Sequence, residues 1–387
     1  MKSVLSTSFD DIRSVYDSEV PETIEKLLVD DKFRKAAESV IKPMNWEQLC
    51  SLMRSCKTVN DVQSKVVYPV MKRLIQKTTA EMKGLNWENI NDGLSHVIIS
   101  NHRDIVLDAA FLNILLYSQG MDTTEIAIGD NLLIYPWITH LVRLNKSFIV
   151  KRNVPMREML ETSRHLSEYI HYTIGERNQS IWIAQREGRA KDFNDRTQVS
   201  LLKMLTLKDS SRPIDMLKAL RIVPLAISYE FDPCDFLKAK EFQLKRDNPR
   251  HKKTPADDLE HMLTGINGYK GRVYSKFGEG INRKLDQLDP SLPKSSLLES
   301  VAGIIDAEIY KNYILFPFNY VAYDTMTNST RFQSEYTLED KEAFEAYVAK
   351  QLDKIQLKHK DWNFLREKIV EMYGNPVKNF LMVQPTS

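Results

Sequence analysis

The stretch Ser100-Asn101-His102-Arg103-Asp104-Ile105-Val106-Leu107-Asp108 holds an imidazole and two carboxylates close enough to move a proton together. A neutral imidazole backed by a carboxylate is a general base. The carboxylate fixes the ring tautomer and stabilises the imidazolium that forms when a hydroxyl proton is taken. His102 supplies the ring, and Asp108 and Asp104 are its candidate partners. Asp104 suits the N-cap of the helix that the spacing of Ala-Ala-Phe-Leu-Asn-Ile-Leu-Leu predicts, and Asp108 then falls about one turn inside it. Helical side chains lean back toward the N-terminus, so Asp108 can reach a histidine lying just before the helix. Read alone, the cluster is more simply a loop histidine beside a cap and a surface charge, and the remainder of the chain reverses that.

Positioning such groups takes a strand that ends sharply. The apolar run His96-Val97-Ile98-Ile99 is such a strand, and open α/β sheets carry their reactive groups at the carboxyl ends of strands. Three further clusters follow apolar runs in the same way. Gln185-Arg186-Glu187-Gly188-Arg189-Ala190-Lys191 follows Ser180-Ile181-Trp182-Ile183, and its guanidinium forks, with a glycine permitting close backbone approach, suit a phosphate dianion. Lys146-Ser147-Phe148-Ile149-Val150-Lys151-Arg152 ends a strand in two cations. Ile222-Val223-Pro224-Leu225-Ala226-Ile227 holds a proline, which predicts an edge or a bulge.

Around these motifs, alternating strand and helix patterns predict an α/β fold with a mixed, mostly parallel sheet covered by helices. The expected strands are 96–100, 125–129, 147–151, 180–185, 221–229 and 271–277. Residues 1–90 read as a helical N-terminal segment, 91–325 as the α/β domain, and 326–387 as a C-terminal helical extension with a capping box at Thr337 and Asp340. The basic segment 245–255 reads as a solvated loop, with anionic lipid head groups as its other use.

With 42% hydrophobic and 27% charged residues, the chain of 387 reads as an ordinary globular protein. A formal charge of +2 gives no reason to expect a nucleic-acid partner. Cys50, Cys56 and Cys234 are an odd set without metal-type spacing, read as reduced thiols of a cytoplasmic protein. The first residues lack the apolar core of a secretion signal, and no run has the ~18 apolar residues that span a bilayer. Membrane contact is therefore expected at the surface, with the aromatic run Asn131–Ile138 as a candidate patch and a buried helix as its plainer reading.

Taken in order, the four clusters resemble the motifs of the glycerolipid acyltransferase superfamily, which includes bacterial glycerol-3-phosphate and 1-acylglycerol-3-phosphate acyltransferases. Asn101-His102-Arg103 is similar to the first motif, Asn-His-x-x-x-x-Asp, and Phe148-Ile149-Val150-Lys151-Arg152 to the second. Glu187-Gly188-Arg189-Ala190-Lys191 resembles the third, and Val223-Pro224 the fourth. One departure stands out: five residues separate His102 from Asp108 where the motif has four, and residue 107 is leucine. Either Asp108 or Asp104 then partners the histidine. The resemblance implies transfer of a fatty acyl group from acyl-CoA or acyl carrier protein to a hydroxyl of glycerol 3-phosphate or 1-acylglycerol 3-phosphate, in phospholipid synthesis. It implies His102 and Asp108 (or Asp104) as the base, and Arg103, Arg152, Glu187, Gly188, Arg189 and Lys191 around the substrate phosphate. No metal and no cofactor beyond the thioester co-substrate is expected. The implied place is the cytoplasm, peripheral on the inner face of the cell membrane. Other polar lipid head groups as acceptors, a non-catalytic membrane-surface binder, and a metal-dependent phosphohydrolase using His102 and Asp104 are the competing readings.

Overall fold

The computed structural model describes residues 9–38 and 40–384, so the reading of the first residues falls partly outside the described part. Helices α1 (Val20–Leu28), α2 (Asp31–Glu38) and α3 (Trp46–Arg54) come first, and a π-helical stretch, Val62–Val67, leads into α4 (Tyr68–Thr78). Val20, Ile24, Leu27, Phe33, Leu49 and Met53 gather their apolar faces into one cluster against Leu144. The expected helical segment is thus present, with one correction. Residues 81–85 form β1 (Glu81–Leu85), a strand of the main sheet. Its only partly buried, charged sequence shows neither an apolar run nor a clean alternation, which hides it from pattern reading.

From there strand and helix alternate: β2 (Val97–Ser100), α5 (Leu107–Ser118), β3 (Glu125–Gly129), α6 (Pro136–Leu144), β4 (Ser147–Val150), α7 (Met159–Gly175) and β5 (Ile181–Ala184). Next come α8 (Val199–Leu205), α9 (Pro213–Ala219), β6 (Val223–Tyr229), α10 (Asp235–Asp247), α11 (Pro255–Asn267) and β7 (Arg272–Phe277). The sheet order is β1-β7-β6-β2-β5-β3-β4, so β2 is central. Only the β6–β7 pairing is antiparallel. This is the mixed, mostly parallel sheet that the alternation predicts.

Strand residues serve the two faces by alternation. Val97, Ile99, Ile181 and Ile183 pack on α7, α8 and α12 (Lys294–Lys311), while Ile98, Trp182, Val223, Leu225 and Ile227 pack on α5. β6 is an interior strand, which corrects the edge or bulge expected from Pro224. That residue pairs with Ile99 of β2 but lies one position outside the β7 ladder, which begins at Leu225. Its missing N–H therefore leaves the antiparallel ladder intact. The run 131–138 is not one buried helix: Ile134 is 40% exposed, and helix α6 starts only at Pro136.

Helices α13 (Pro317–Thr327), α14 (Leu338–Lys354) and α15 (Trp362–Leu381) close the chain, and Thr337 and Asp340 form the expected capping box. Val321, Phe344, Val348, Leu365, Ile369 and Tyr373 pack with Ala239 of α10 and with Phe193. At the seam with α10 the buried carboxyl of Asp235 accepts hydrogen bonds from Tyr347 (2.6 Å) and Tyr373 (2.9 Å). Burial pushes its pKa up to about 7. A carboxyl so raised favours the fold most below its unfolded pKa, and that contribution falls as pH climbs toward 7. Asp235→Asn removes the decline, so the variant gains about 2–3 kcal/mol relative to wild type between pH 5 and pH 8 in urea unfolding. A difference that does not change with pH would show the carboxyl to be ionised throughout.

Candidate active site

β2 ends in a side chain that imitates backbone. Asn101 donates its amide to the Ile227 carbonyl (2.9 Å) and accepts the Ile227 N–H (2.8 Å), so the pairing with β6 continues one residue past the strand. On the other side the Gln185 N–H reaches the Ser100 carbonyl (2.8 Å), and Trp182 donates its indole N–H to the Ser100 hydroxyl (3.0 Å). The backbone just before His102 is therefore held by both neighbouring strands.

His102 stands edge-on to Trp182, ring centroids 5.8 Å apart. Its Nδ1 lies 2.8 Å from Asp108 Oδ2, and the same oxygen accepts the N–H groups of Arg103 (2.6 Å) and Asp104 (3.0 Å). An oxygen receiving two backbone N–H groups is an acceptor toward the ring as well. Nδ1 therefore carries the proton and Nε2 keeps the lone pair. The five-residue spacing is taken up by the turn through Ile105 and Val106, with α5 starting at Leu107. The N-cap position falls to Val106, two residues beyond the expected Asp104, but Asp104 still caps the turn: its Oδ1 accepts the N–H groups of Val106 (2.9 Å) and Leu107 (2.8 Å). The choice left open between the two carboxylates thus falls to Asp108 on geometry. Burial, reinforced by the charge of Asp108, raises the Asp104 pKa.

The six residues expected around a phosphate separate into groups. Arg152 and Glu187 meet at the rim (3.3 Å), the glutamate side chain 69% exposed, and Gly188 beside them takes φ +67°, which suits glycine. Arg189 is buried. One arm of its guanidinium meets His261 Nδ1 (3.1 Å), and its other nitrogen, Nη1, has no hydrogen-bond partner. Burial and the surrounding cations push the His261 pKa down to about 2, so that ring is neutral. Lys191 is turned to Glu241 of α10, and burial lowers its pKa to about 8. Arg103 departs furthest from expectation. Its guanidinium is buried and bidentate to Asp195 (2.9 and 2.6 Å), whose charge outweighs burial and raises the arginine pKa.

Sequence reasoning assigned no role to Gln185 or Tyr229, two polar side chains at this edge. Gln185 is fully buried with both amide atoms unpartnered, and the Tyr229 hydroxyl and Asp108 Oδ1 are also buried without hydrogen-bond partners. Burial and the charges of Asp108 and Asp104 hold the Tyr229 hydroxyl firmly protonated. Strand-end position is the one signal the sequence carries for Gln185 and Tyr229. Among the described residues no group of three or more His, Cys, Asp or Glu side chains is arranged to hold a metal ion.

Residues 83–228, which hold all four clusters, match the sequence profile of the Acyltransferase family. Residues 83–228 belong to that family. The chain is an acyl-transferring enzyme. No curated protein matches it. Among solved structures, the 1-acyl-sn-glycerophosphate (LPA) acyltransferase PlsC from Thermotoga maritima is similar at 11% sequence identity and a TM-score of 0.34, over 74% of this chain and 91% of that one. The assignment rests on the family match, not on that likeness.

In this acyltransferase domain the cap beneath the histidine is pressed by α11. A Cβ on Gly265 would lie 2.0 Å from Asp104 Oδ2, and the carboxyl cannot swing away without giving up the two N–H groups it caps. Gly265→Ala therefore lowers stability by about 1–3 kcal/mol in urea unfolding. An unchanged midpoint would show the cap to be free to move.

Proposed function

We propose that the enzyme carries a fatty acyl group from acyl-CoA or acyl carrier protein to a hydroxyl of glycerol 3-phosphate or 1-acylglycerol 3-phosphate. The observation that carries this reading is the 2.8 Å contact between His102 Nδ1 and the buried carboxylate of Asp108, which leaves Nε2 as the base. Nε2 takes the acceptor hydroxyl proton as the oxygen attacks the thioester carbonyl. The C–O bond forms, the C–S bond breaks, and the imidazolium returns the proton to the departing thiolate. Asp108 stabilises that imidazolium.

Transfer is direct in this scheme. Cys234 is buried, its thiol pKa pushed up to about 12 by burial, and its Sγ is turned to the His261 carbonyl, so it is a poor nucleophile. The buried Arg189 Nη1 and the rim guanidinium of Arg152 are the donors suited to a substrate phosphate. Arg103 and Lys191 are engaged elsewhere and drop out of that role.

The acylated product partitions into lipid, which supports a peripheral position at a membrane surface; the inner face of the cell membrane is the position proposed. No helix among the described residues is long and apolar enough to cross a bilayer. The segments that leave the adjacent strands β3 and β4 expose Ile134 and Met156, and the first turn of α7 exposes Leu160, side chains suited to an interface.

The test is acyl transfer by the purified chain, with both thioester donors and both acceptors. Turnover is expected with at least one pair, and His102→Ala lowers kcat about 10²–10⁴-fold with circular dichroism unchanged. A His102→Ala rate equal to wild type, or no turnover with any pair, overturns the reading.

A further inference from the structure

We propose that Arg103 and Asp195 form a positioning lock for His102, and that the C-terminal helix α15 sets it. The proposal rests on the acyl-transfer reading for what the histidine does, but the lock itself is a matter of contacts. Arg103 follows His102 directly, and its backbone N–H, its carbonyl and both terminal guanidinium nitrogens are taken. Its N–H goes to Asp108 Oδ2, and its carbonyl accepts the buried Lys238 ammonium (3.1 Å), which is itself paired with Asp232. Its guanidinium is bidentate to Asp195 and lies 4.2 Å from the centre of the Phe193 ring. A bidentate fork fixes direction as well as distance, and burial removes the water that would compete for it.

Asp195 is held as fully. Tyr313 donates to its Oδ2 (2.6 Å), and Tyr310 to its carbonyl. Both tyrosines belong to the end of α12 and the turn after it. The ring of Phe193 sits on a residue with φ +57°, a backbone conformation that a bulky side chain rarely adopts unless its surroundings impose it. Helix α15 supplies those surroundings. Asn375 donates to the Asp192 carbonyl (2.7 Å), Asn379 to the Phe193 carbonyl (3.4 Å), and Tyr373 packs edge-on against Phe193 at 6.1 Å. A continuous path of contacts therefore runs from α15 through Phe193 and Asp195 to the residue beside the histidine. The C-terminal helices are part of the site's frame, and Arg103 is a positioning residue rather than a phosphate ligand.

The experiment uses the full-length chain with Arg103→Lys, Phe193→Leu and Asn379→Ala, the last two leaving the buried ion pair intact. Two readings are taken. Steady-state kinetics should show kcat lowered about 10–100-fold in Arg103→Lys and less in the other two, with the acceptor KM unchanged, as misplacement of a base requires. A raised acceptor KM at unchanged kcat in Arg103→Lys would make Arg103 a substrate ligand and overturn the proposal. In the second reading, the His102 imidazole is titrated by NMR on histidine-labelled protein. Its midpoint should move in Arg103→Lys and Phe193→Leu but not in the control Arg177→Lys, whose partner Glu125 begins β3 at the opposite edge of the sheet. An unmoved midpoint in both lock variants overturns the proposal. A wild-type chain without acyl transfer would sink the functional reading alone, because the titration still decides the lock.

Discussion

One carboxylate oxygen organises the carboxyl edge of this sheet. Asp108 Oδ2 accepts three N–H groups, from the His102 ring and from the next two backbone amides. The backbone amides hold the loop around the carboxylate, and the carboxylate in turn holds the ring. Asp108 is the second residue of α5, so the same oxygen also sits at the start of the helix. Loop shape, tautomer and helix start are thereby a single constraint. The acid at position 104 is tied to the same turn, since its cap decides where α5 begins.

Near that oxygen the protein buries several charges in pairs, while Arg189 meets only the neutral His261. Arg103 lies on Asp195, Lys238 on Asp232, and Lys191 on Glu241. Burying an ion pair is weak evidence for stability, since desolvation can match the Coulomb gain, whereas leaving one member alone is strongly unfavourable. Such pairs fix geometry more than they add free energy. The first two touch Arg103, the residue beside the histidine, which matches that use. Glu125 plays a comparable part at the start of β3, where its carboxylate takes Ser14, Tyr169 and Arg177 and ties the N-terminal strap to the sheet.

Much of this was legible beforehand because it is local. Six strands fall within two residues of expectation; β2, β5 and β6 are short apolar runs buried on both faces, which is how interior strands read. The histidine, its helix and its carboxylate lie within one turn and a loop, so spacing alone brings them together. What stayed hidden depends on contacts across the chain. Asp195 lies 92 positions from Arg103, and Lys238 lies 135 from it. No local pattern marks either as its partner. The partners of Arg103 and Lys191 stay hidden for the same reason. A sequence displays a charge but not its burial, and neither the fork of Arg103 on Asp195 nor the ammonium of Lys191 on Glu241 is marked in it.

The one-residue departure from the Asn-His-x-x-x-x-Asp motif has a physical resolution. An extra residue before the partner acid would carry it about 100° around a helix and away from the ring, if the helix began at the same place. It does not begin there. Asp104 caps at Val106 and Leu107, so the added residue is spent in the non-helical turn through Ile105 and Val106, and Asp108 enters helical backbone only at its second position. From there its side chain leans back toward the N-terminus and reaches Nδ1. Gly265, pressed against the outer oxygen of Asp104, leaves that cap its room, so a helix more than 150 positions away in sequence helps decide which carboxylate meets the histidine. The spacing rule is therefore a rule about the start of a helix. Residue count is its outward sign.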